Sequence, residues 1–389
     1  MTPPHVCFVG LGNLPVLAPE YSDQPAGGAE LQQALLAKAL ARRGWQVSMV
    51  VGDWGQAEGA IWDGVRTIKA YGPSEGLPVL RFLHPRWTKL HGALRRADAD
   101  IYYTSCAGAH LGQIVMFAHR RGRPVVFKVA SNSDCDPREL LVQYRRDRLL
   151  YRYGLARADI VLAQTQQQQQ ALRQNFDRTS RIAPSLIEPA ERCRPREERD
   201  IDALWVGHIR SFKRPDMLLA AARALPHLRF HMVGGRMPGS EELFDTVRVQ
   251  AQALGNVTFH GALPYRKVRS LYERARLLVS TSEIEGFPNT YLQAWSHGTP
   301  VVGRLDPDGL LQTHRTGRVV RGIGEMCAAI AALSQDRAEW ERASAHARDY
   351  MERHCGEGKV LGPYVAALAE LQRTSTGGSS AAESSVARG

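Results

Sequence analysis

What the chain lacks narrows its nature first. Its six cysteines, Cys7, Cys106, Cys135, Cys193, Cys327 and Cys355, are scattered, with no Cys-x-x-Cys pair and no regular spacing. That pattern argues against a zinc site and a disulfide framework, so reduced thiols in a cytosolic compartment are expected. No run of about 18 apolar residues occurs, so no membrane-spanning helix is expected. No basic segment and apolar signal core precede the first strand-like stretch, His5 to Gly10, which also points to a cytoplasmic protein. Zinc-finger spacing and an aromatic-rich RNA-binding strand are both missing, so nucleic acid is not an expected partner.

What is present suits a soluble globular protein, with 44% hydrophobic and 23% charged residues. At 389 residues the chain is too long for one ordinary core and fits two domains. The net charge of +11 calls for an anionic partner, either phosphorylated ligands or an anionic membrane surface.

Short apolar strands alternate with amphipathic helices through the first half. His5 to Gly10, Gln46 to Val51, Ile101 to Thr104, Pro124 to Val129 and Asp159 to Ala163 read as strands. Helices are expected over Ala29 to Arg43, Gly108 to Arg121 and Pro137 to Arg157. A charge-dense stretch from Glu188 to Asp200 reads as a linker. The alternation then restarts, with strands at Asp202 to Gly207, Arg229 to Gly234, Asn256 to His260, Leu277 to Thr281 and Pro300 to Gly303. Such a pattern builds a parallel sheet covered on both faces, once in each half. The five glutamines 166–170 read as a polar helix surface. Thr374 to Gly389, rich in Ser, Gly and Ala, cannot bury a core and is expected to be disordered.

Three segments bring glycines, charges and strand ends together. In Val206-Gly207-His208-Ile209-Arg210-Ser211-Phe212-Lys213-Arg214-Pro215, three cations sit where a strand ends, the edge at which open α/β sheets bind ligands. A diphosphate leaving group needs fixed positive charge there; a solvated basic loop would look the same. In Glu285-Gly286-Phe287-Pro288-Asn289-Thr290, a carboxylate that accepts from sugar hydroxyls precedes the amide end of a helix, an anion site without side chains. Gln293 follows Glu285 by about two helical turns and shares its face. A plain strand–turn–helix is the alternative. Gly27-Gly28 opens the first helix and lets backbone approach a phosphate, although a capping turn would serve equally. Gly10-x-Gly12 is no dinucleotide fingerprint, because Pro15 takes the place of the third glycine.

These segments resemble glycosyltransferase family 4, retaining enzymes of the two-domain GT-B fold, over about residues 5–372. The resemblance implies two Rossmann-like, doubly wound parallel-sheet α/β domains facing across a cleft. Residues 1–190 would form the acceptor-side domain and 191–355 the donor domain, with a helix at 356–373 crossing back and a tail at 374–389. It implies a nucleotide-diphosphate sugar donor, UDP- or GDP-linked, with no metal and no cofactor. The acceptor would be a glycan, a lipid-linked molecule or a small molecule. Lys213 would neutralise the diphosphate and Glu285 would hold the transferred sugar. Gly286 and Phe287 would offer amides to phosphate, with Pro288 and Asn289 beside them. Gly27 and Gly28 would lie across the cleft, and Gly207 corresponds to the glycine ending the strand.

Three positions depart from the family's pattern. His208 replaces an arginine, leaving Arg210 to reach the phosphates. Gln293 replaces the second glutamate, which holds the ribose. Val129 to Asp134 replaces a histidine segment, which makes Asn132 and Asp134 the acceptor-side candidates. Nucleotide-sugar epimerases of the same fold and a non-catalytic nucleotide-sugar-binding protein are the rival readings. A last segment, Arg81 to Arg96, mixes cations with Phe82, Leu83, Trp87, Leu90 and Leu94. It reads either as a peripheral contact with an anionic membrane or as a helix packed on its domain with a basic outer face.

Overall fold

The computed structural model describes residues 4–22, 27–78 and 80–386, the last thirteen of them as backbone only. The chain forms two compact units. The first comprises the described residues up to Tyr21, Gly28–Leu186, and the chain from Glu357 onward; Ile187–Gly356 belong to the second.

In the first unit, strands β1 (His5–Val9), β2 (Gln46–Val51), β3 (Ile61–Trp62), β4 (Val65–Lys69), β5 (Ile101–Ser105), β6 (Val125–Lys128), β7 (Ile160–Ala163) and β8 (Arg181–Ile182) form one sheet. Their order is β3-β4-β2-β1-β5-β6-β7-β8, and all neighbours are parallel except β3 with β4. Every residue of β1 and β5 is buried, as expected of strands covered on both faces. The hairpin β3–β4 escapes the sequence reading, yet its signal is plain. Asp63 and Gly64 both take positive φ, 48° and 79°, the geometry of a two-residue Asp-Gly turn.

Helices Thr88–Ala97, Ala109–His119 and Arg145–Arg157 pack side by side. Gly112 and Gly154 bring the last two into backbone contact; a Cβ on Gly112 would lie 2.4 Å from the Leu150 carbonyl oxygen. Thr88–Ala97 buries Leu90, Ala93, Leu94 and Ala97. Its basic face is held locally, with Lys89 paired to Glu75 and Arg96 to Glu58. The second half of the Arg81 to Arg96 segment is therefore a packed helix. The helix expected from Pro137 begins only at Arg145; residues 137–139 form a turn instead, in which Asp136 Oδ1 accepts from Arg138 N (2.8 Å).

The last helix, Glu357–Val386, belongs to the first unit. Tyr364 is buried, and its hydroxyl donates to the Pro184 carbonyl (2.7 Å) and accepts from Lys128 Nζ. The backbone stays helical through the Ser/Gly/Ala-rich stretch where no structure is expected. Hydrogen bonds within a helix are local and do not require a buried face.

The second unit is a six-stranded, all-parallel sheet: β9 (Ile201–Val206), β10 (Phe230–Val233), β11 (Val257–Gly261), β12 (Ala275–Ser280), β13 (Val301–Gly303) and β14 (Gly317–Val319). The order is β11-β10-β9-β12-β13-β14, with an apolar core on each face. Arg199 is 1% exposed and ties the entry of β9 to its surroundings. It donates to the Ala275 carbonyl and Thr299 hydroxyl (both 2.6 Å), the His297 carbonyl (2.5 Å) and the Arg194 carbonyl (3.0 Å). Burial lowers its pKa to about 10.

Candidate active site

The second sheet reverses its winding between β9 and β12, so the loops leaving their carboxyl ends part and open a crevice. The loop after β9 is held against β10: Gly207 N donates to Val233 O (3.0 Å) and Ile209 N to Gly235 O (3.3 Å). The approach leaves no room for a side chain at Gly234, where a Cβ would sit 2.5 Å from Gly207 O. Ser211–Lys213 form one 3₁₀ turn, Arg214 turns left-handed (φ 48°), and Pro215 starts the next helix. Thr281, fully buried after β12, joins the two loops. It donates to the Lys213 carbonyl (2.5 Å) and accepts from Trp205 Nε1 (2.8 Å). Glu283 N adds a bond to Phe212 O (2.8 Å).

This stitching brings Lys213 and Glu285, 72 positions apart, into an ion pair through Nζ and Oε1. Their side chains are 19% and 20% exposed, so both are partly desolvated yet open to a ligand. Around them, Glu283 accepts from Arg304 (2.9 Å) and Arg214 (2.7 Å), which hold its carboxyl below the usual range. Arg214 also pairs with Asp216 (2.8 Å). Arg210 is different: among the described residues no carboxylate pairs with it, and its guanidinium lies 6.0 Å from the Phe212 ring centre. His208 lies between Gly207 and Ile209 and is half-buried.

Helix Asn289–Ser296 starts just after Glu285, with Pro288 at its N-cap and no side-chain cap. Gly286 is buried, and Phe287 packs edge-on against Trp295. Tyr291 donates to the Leu305 carbonyl (2.9 Å); a Cβ on Gly303 would lie 2.2 Å from its hydroxyl. Gln293 is buried two turns along, its amide close to the Tyr265 phenol but short of hydrogen-bond geometry. Thr281, Glu283 and Arg304 were not singled out from the sequence. A lone threonine carries no signal there, and the two ion pairs join residues distant in the chain.

In the first sheet the reversal falls between β1 and β5. Buried neutral groups line this edge: Asn13 Nδ2 donates to Gln33 Oε1 (3.2 Å), and Gln33 Nε2 to Ser105 Oγ (2.7 Å). Gly28 opens helix Gly28–Arg42 directly after Gly27, and the Glu30 side chain lies against Gly12. The preceding loop positions 23–26 lie outside the described residues. Asp134 acts on its own turn, accepting from Ala130 N (2.9 Å) and Ser131 N (3.2 Å). Burial raises its carboxyl pKa to about 6. Asn132 accepts from Gln168 Nε2 (3.2 Å), and Gln168 Oε1 accepts from Gln164 N (2.8 Å). Gln168, in the glutamine run read as surface, is thus 1% exposed and holds the turn that carries Asn132. Among the described residues no group of three or more His, Cys, Asp or Glu is placed to hold a metal ion, and no helix is long and apolar enough to cross a membrane.

Comparison with known proteins identifies relatives of this architecture. Residues 27–185 match the family described as glycosyl transferase 4-like domain, and residues 200–336 match glycosyl transferases group 1. A D-inositol 3-phosphate glycosyltransferase of Rhodococcus erythropolis is 26% identical, over 92% of this chain and 90% of that protein. Among solved structures, sucrose-phosphate synthase from Thermosynechococcus elongatus aligns with a TM-score of 0.75 at 20% identity, covering 95% of this chain and all of that one. The Anabaena HepE protein, solved with UDP and glucose, aligns at 0.71 and 15% identity, covering 94% of this chain and all of that one. Those two structures establish the two-domain fold.

Proposed function

The chain belongs to the glycosyltransferases of the 4-like and group 1 families, with the GT-B fold, and from that premise we propose that it moves a sugar from a nucleotide diphosphate to an acceptor hydroxyl with retention of configuration. One observation carries the reading: Lys213 and Glu285 meet at the reversal point of the second sheet, partly desolvated and beside an uncapped helix end. Loss of the nucleoside diphosphate dominates such a barrier, and fixed cations aimed at its growing charge lower it. Lys213 takes the diphosphate, with Arg210 and the amides beyond Gly286 adding charge or hydrogen bonds. Once the diphosphate holds Lys213, Glu285 is released to accept from sugar hydroxyls. Gln293 accepts from one ribose hydroxyl and donates to another. On this reading the protein's own cations stabilise the leaving group and no metal is required.

The donor is a UDP- or GDP-sugar; the UDP in the Anabaena structure makes UDP-sugars the first to test. The acceptor is a glycan, a lipid-linked molecule or a small molecule, and the name of the Rhodococcus relative puts inositol phosphate in the first screen. Attachment to the inner face of an anionic membrane belongs to the same reading.

Mass spectrometry of co-purifying nucleotide sugars, followed by transfer assays with and without EDTA, tests this. The expected result is acceptor-dependent release of nucleoside diphosphate, insensitive to EDTA, giving a product whose anomeric configuration by NMR matches the donor's. Epimerised free sugar in the absence of acceptor would establish the epimerase instead. Donor binding with no turnover across a broad acceptor screen would make the chain a nucleotide-sugar-binding protein.

A further inference from the structure

Nine large hydrophobic side chains are exposed among the described residues, and six of them lie in two short segments of the first unit. Leu77, Leu80 and Leu83 are 69%, 53% and 60% exposed; Leu141, Tyr144 and Leu149 are 58%, 52% and 66% exposed. The segments are far apart in sequence, but the Arg146 guanidinium sits 4.0 Å over the Phe82 ring and 5.2 Å from the Tyr144 ring, joining them into one patch. Single exposed leucines are ordinary on a protein surface, whereas a cluster of this kind marks an interaction face.

The surrounding charge is net positive. Residues 75–89 and 136–149 hold seven Lys or Arg against four Asp or Glu, with Lys89, Arg138 and Arg146 in local ion pairs. Arg86 and Arg145 pair with no carboxylate among the described residues, so their charge is available to a partner. Exposed apolar side chains accompanied by unpaired arginines suit a lipid bilayer. The leucines enter the acyl boundary while the guanidinium groups meet anionic headgroups. An acidic protein would satisfy the cations but would not call for six exposed apolar side chains.

The patch also lies on the functional edge of its sheet. One segment follows β4 and leads into helix Thr88–Ala97; the other follows β6 and leads into Arg145–Arg157. Both leave the carboxyl ends of parallel strands, the edge at which this architecture binds its ligands.

We propose that residues 77–78, 80–86 and 138–149 together form a docking surface for anionic lipid bilayers, which holds the carboxyl edge of the first sheet against the membrane. This deepens the proposed membrane attachment by assigning its surface, and it rests on that reading for the acceptor's location only.

The test is co-sedimentation of the full chain with vesicles of phosphatidylcholine containing about 30% phosphatidylglycerol, and with phosphatidylcholine alone. Binding is expected to the mixed vesicles only, weakening at least about tenfold as salt rises from about 50 to about 500 mM. Leu83→Ser with Leu141→Ser should lower vesicle affinity at least about tenfold, and Arg86→Gln with Arg145→Gln by a similar factor. Arg223→Gln with Arg342→Gln, an equal charge change on exposed positions of the second unit, should leave it unchanged. Circular dichroism checks folding. Transfer to a water-soluble acceptor should be unaffected in the leucine pair, so failed docking and failed chemistry read out separately. Absence of wild-type binding to the mixed vesicles at low salt would overturn the proposal. So would equal binding by the patch variants, or an acidic protein that competes while the leucine pair binds normally.

Discussion

The two sheets share one architecture yet carry opposite chemistry at the same place, the carboxyl edge where strand order reverses. The second sheet presents charge there: Lys213 against Glu285, Glu283 between Arg214 and Arg304, and Arg210 with no carboxylate among the described residues. The first presents neutral hydrogen bonds, Asn13 to Gln33 and Gln33 to Ser105, and its nearby acid, Asp134, is buried and occupied by its own backbone. The fold offers both edges alike, and side chains decide which one presents exposed charge. Ion pairs open to solvent are exchangeable, because an incoming diphosphate can replace the carboxylate. Buried neutral networks are not, because each broken bond strands a polar group away from water.

The sharpest way to break this comparison is to remove the exchangeable charge. Lys213→Ala should lower turnover by ~10²–10³ while leaving the folded state intact, the usual loss for one donor aimed at developing negative charge. Glu285→Gln should also cripple transfer, since an amide accepts hydroxyl protons more weakly than a carboxylate. Its nucleotide affinity should hold or rise, because Lys213 is then free. Steady-state rates and nucleotide titration measure both. Activity within a few-fold of wild type in a folded Lys213→Ala protein would sink the assignment.

Scaffold and site separate next. Arg199→Ala should destabilise the second unit by about 3 kcal/mol or more, because it removes a buried group bonded to four acceptors. Hydrogen exchange should accelerate in β9 and β12 and stay unchanged in the first sheet. Uniform acceleration across both sheets would show that the units do not open separately.

Lys128 gives the first unit a pH signature above neutrality. Burial lowers its folded-state pKa to about 7, whereas an unfolded chain holds a lysine at about 10.4. Between those values the unfolded state binds more protons, so this group makes stability rise with pH, by at most about 1.4 kcal/mol per unit. Lys128→Met should flatten that rise and leave the Tyr364 bond to Pro184 in place. Denaturation midpoints of the two proteins between pH 7 and 10 measure the difference; parallel curves would contradict it.

The smallest effect concerns position 293. Gln293→Ala should weaken donor binding by roughly 1 kcal/mol, the scale of one neutral hydrogen bond, and Gln293→Glu should alter mainly the donor KM. A dead Gln293→Ala enzyme beside a near-normal Glu285→Gln would mean the two roles are exchanged.

Much of this molecule can be read from the chain alone, because its signals are local. Strands buried on both faces appear as unbroken apolar runs, and Gly207, Lys213, Glu285 and Gly286 stand where those runs end. Even the overlooked β3–β4 hairpin is written in Asp63-Gly64. What stayed hidden depends on approach through space. Leu90 and Leu94 look as available as Leu83 in a basic segment, but helix packing buries the first two and leaves the third outside. Gln168 is one of five identical neighbours until the fold places it beneath Asn132. Thr281 acquires a role only when two loops, 68 positions apart at its bond to Lys213, come within hydrogen-bond reach. Periodicity and turn chemistry thus determined the two parallel sheets and which loops leave their carboxyl edges. Only tertiary packing decided which charges meet, which leucines face out and which polar groups are already engaged, because each of these is set by the distance between segments that the chain order leaves open.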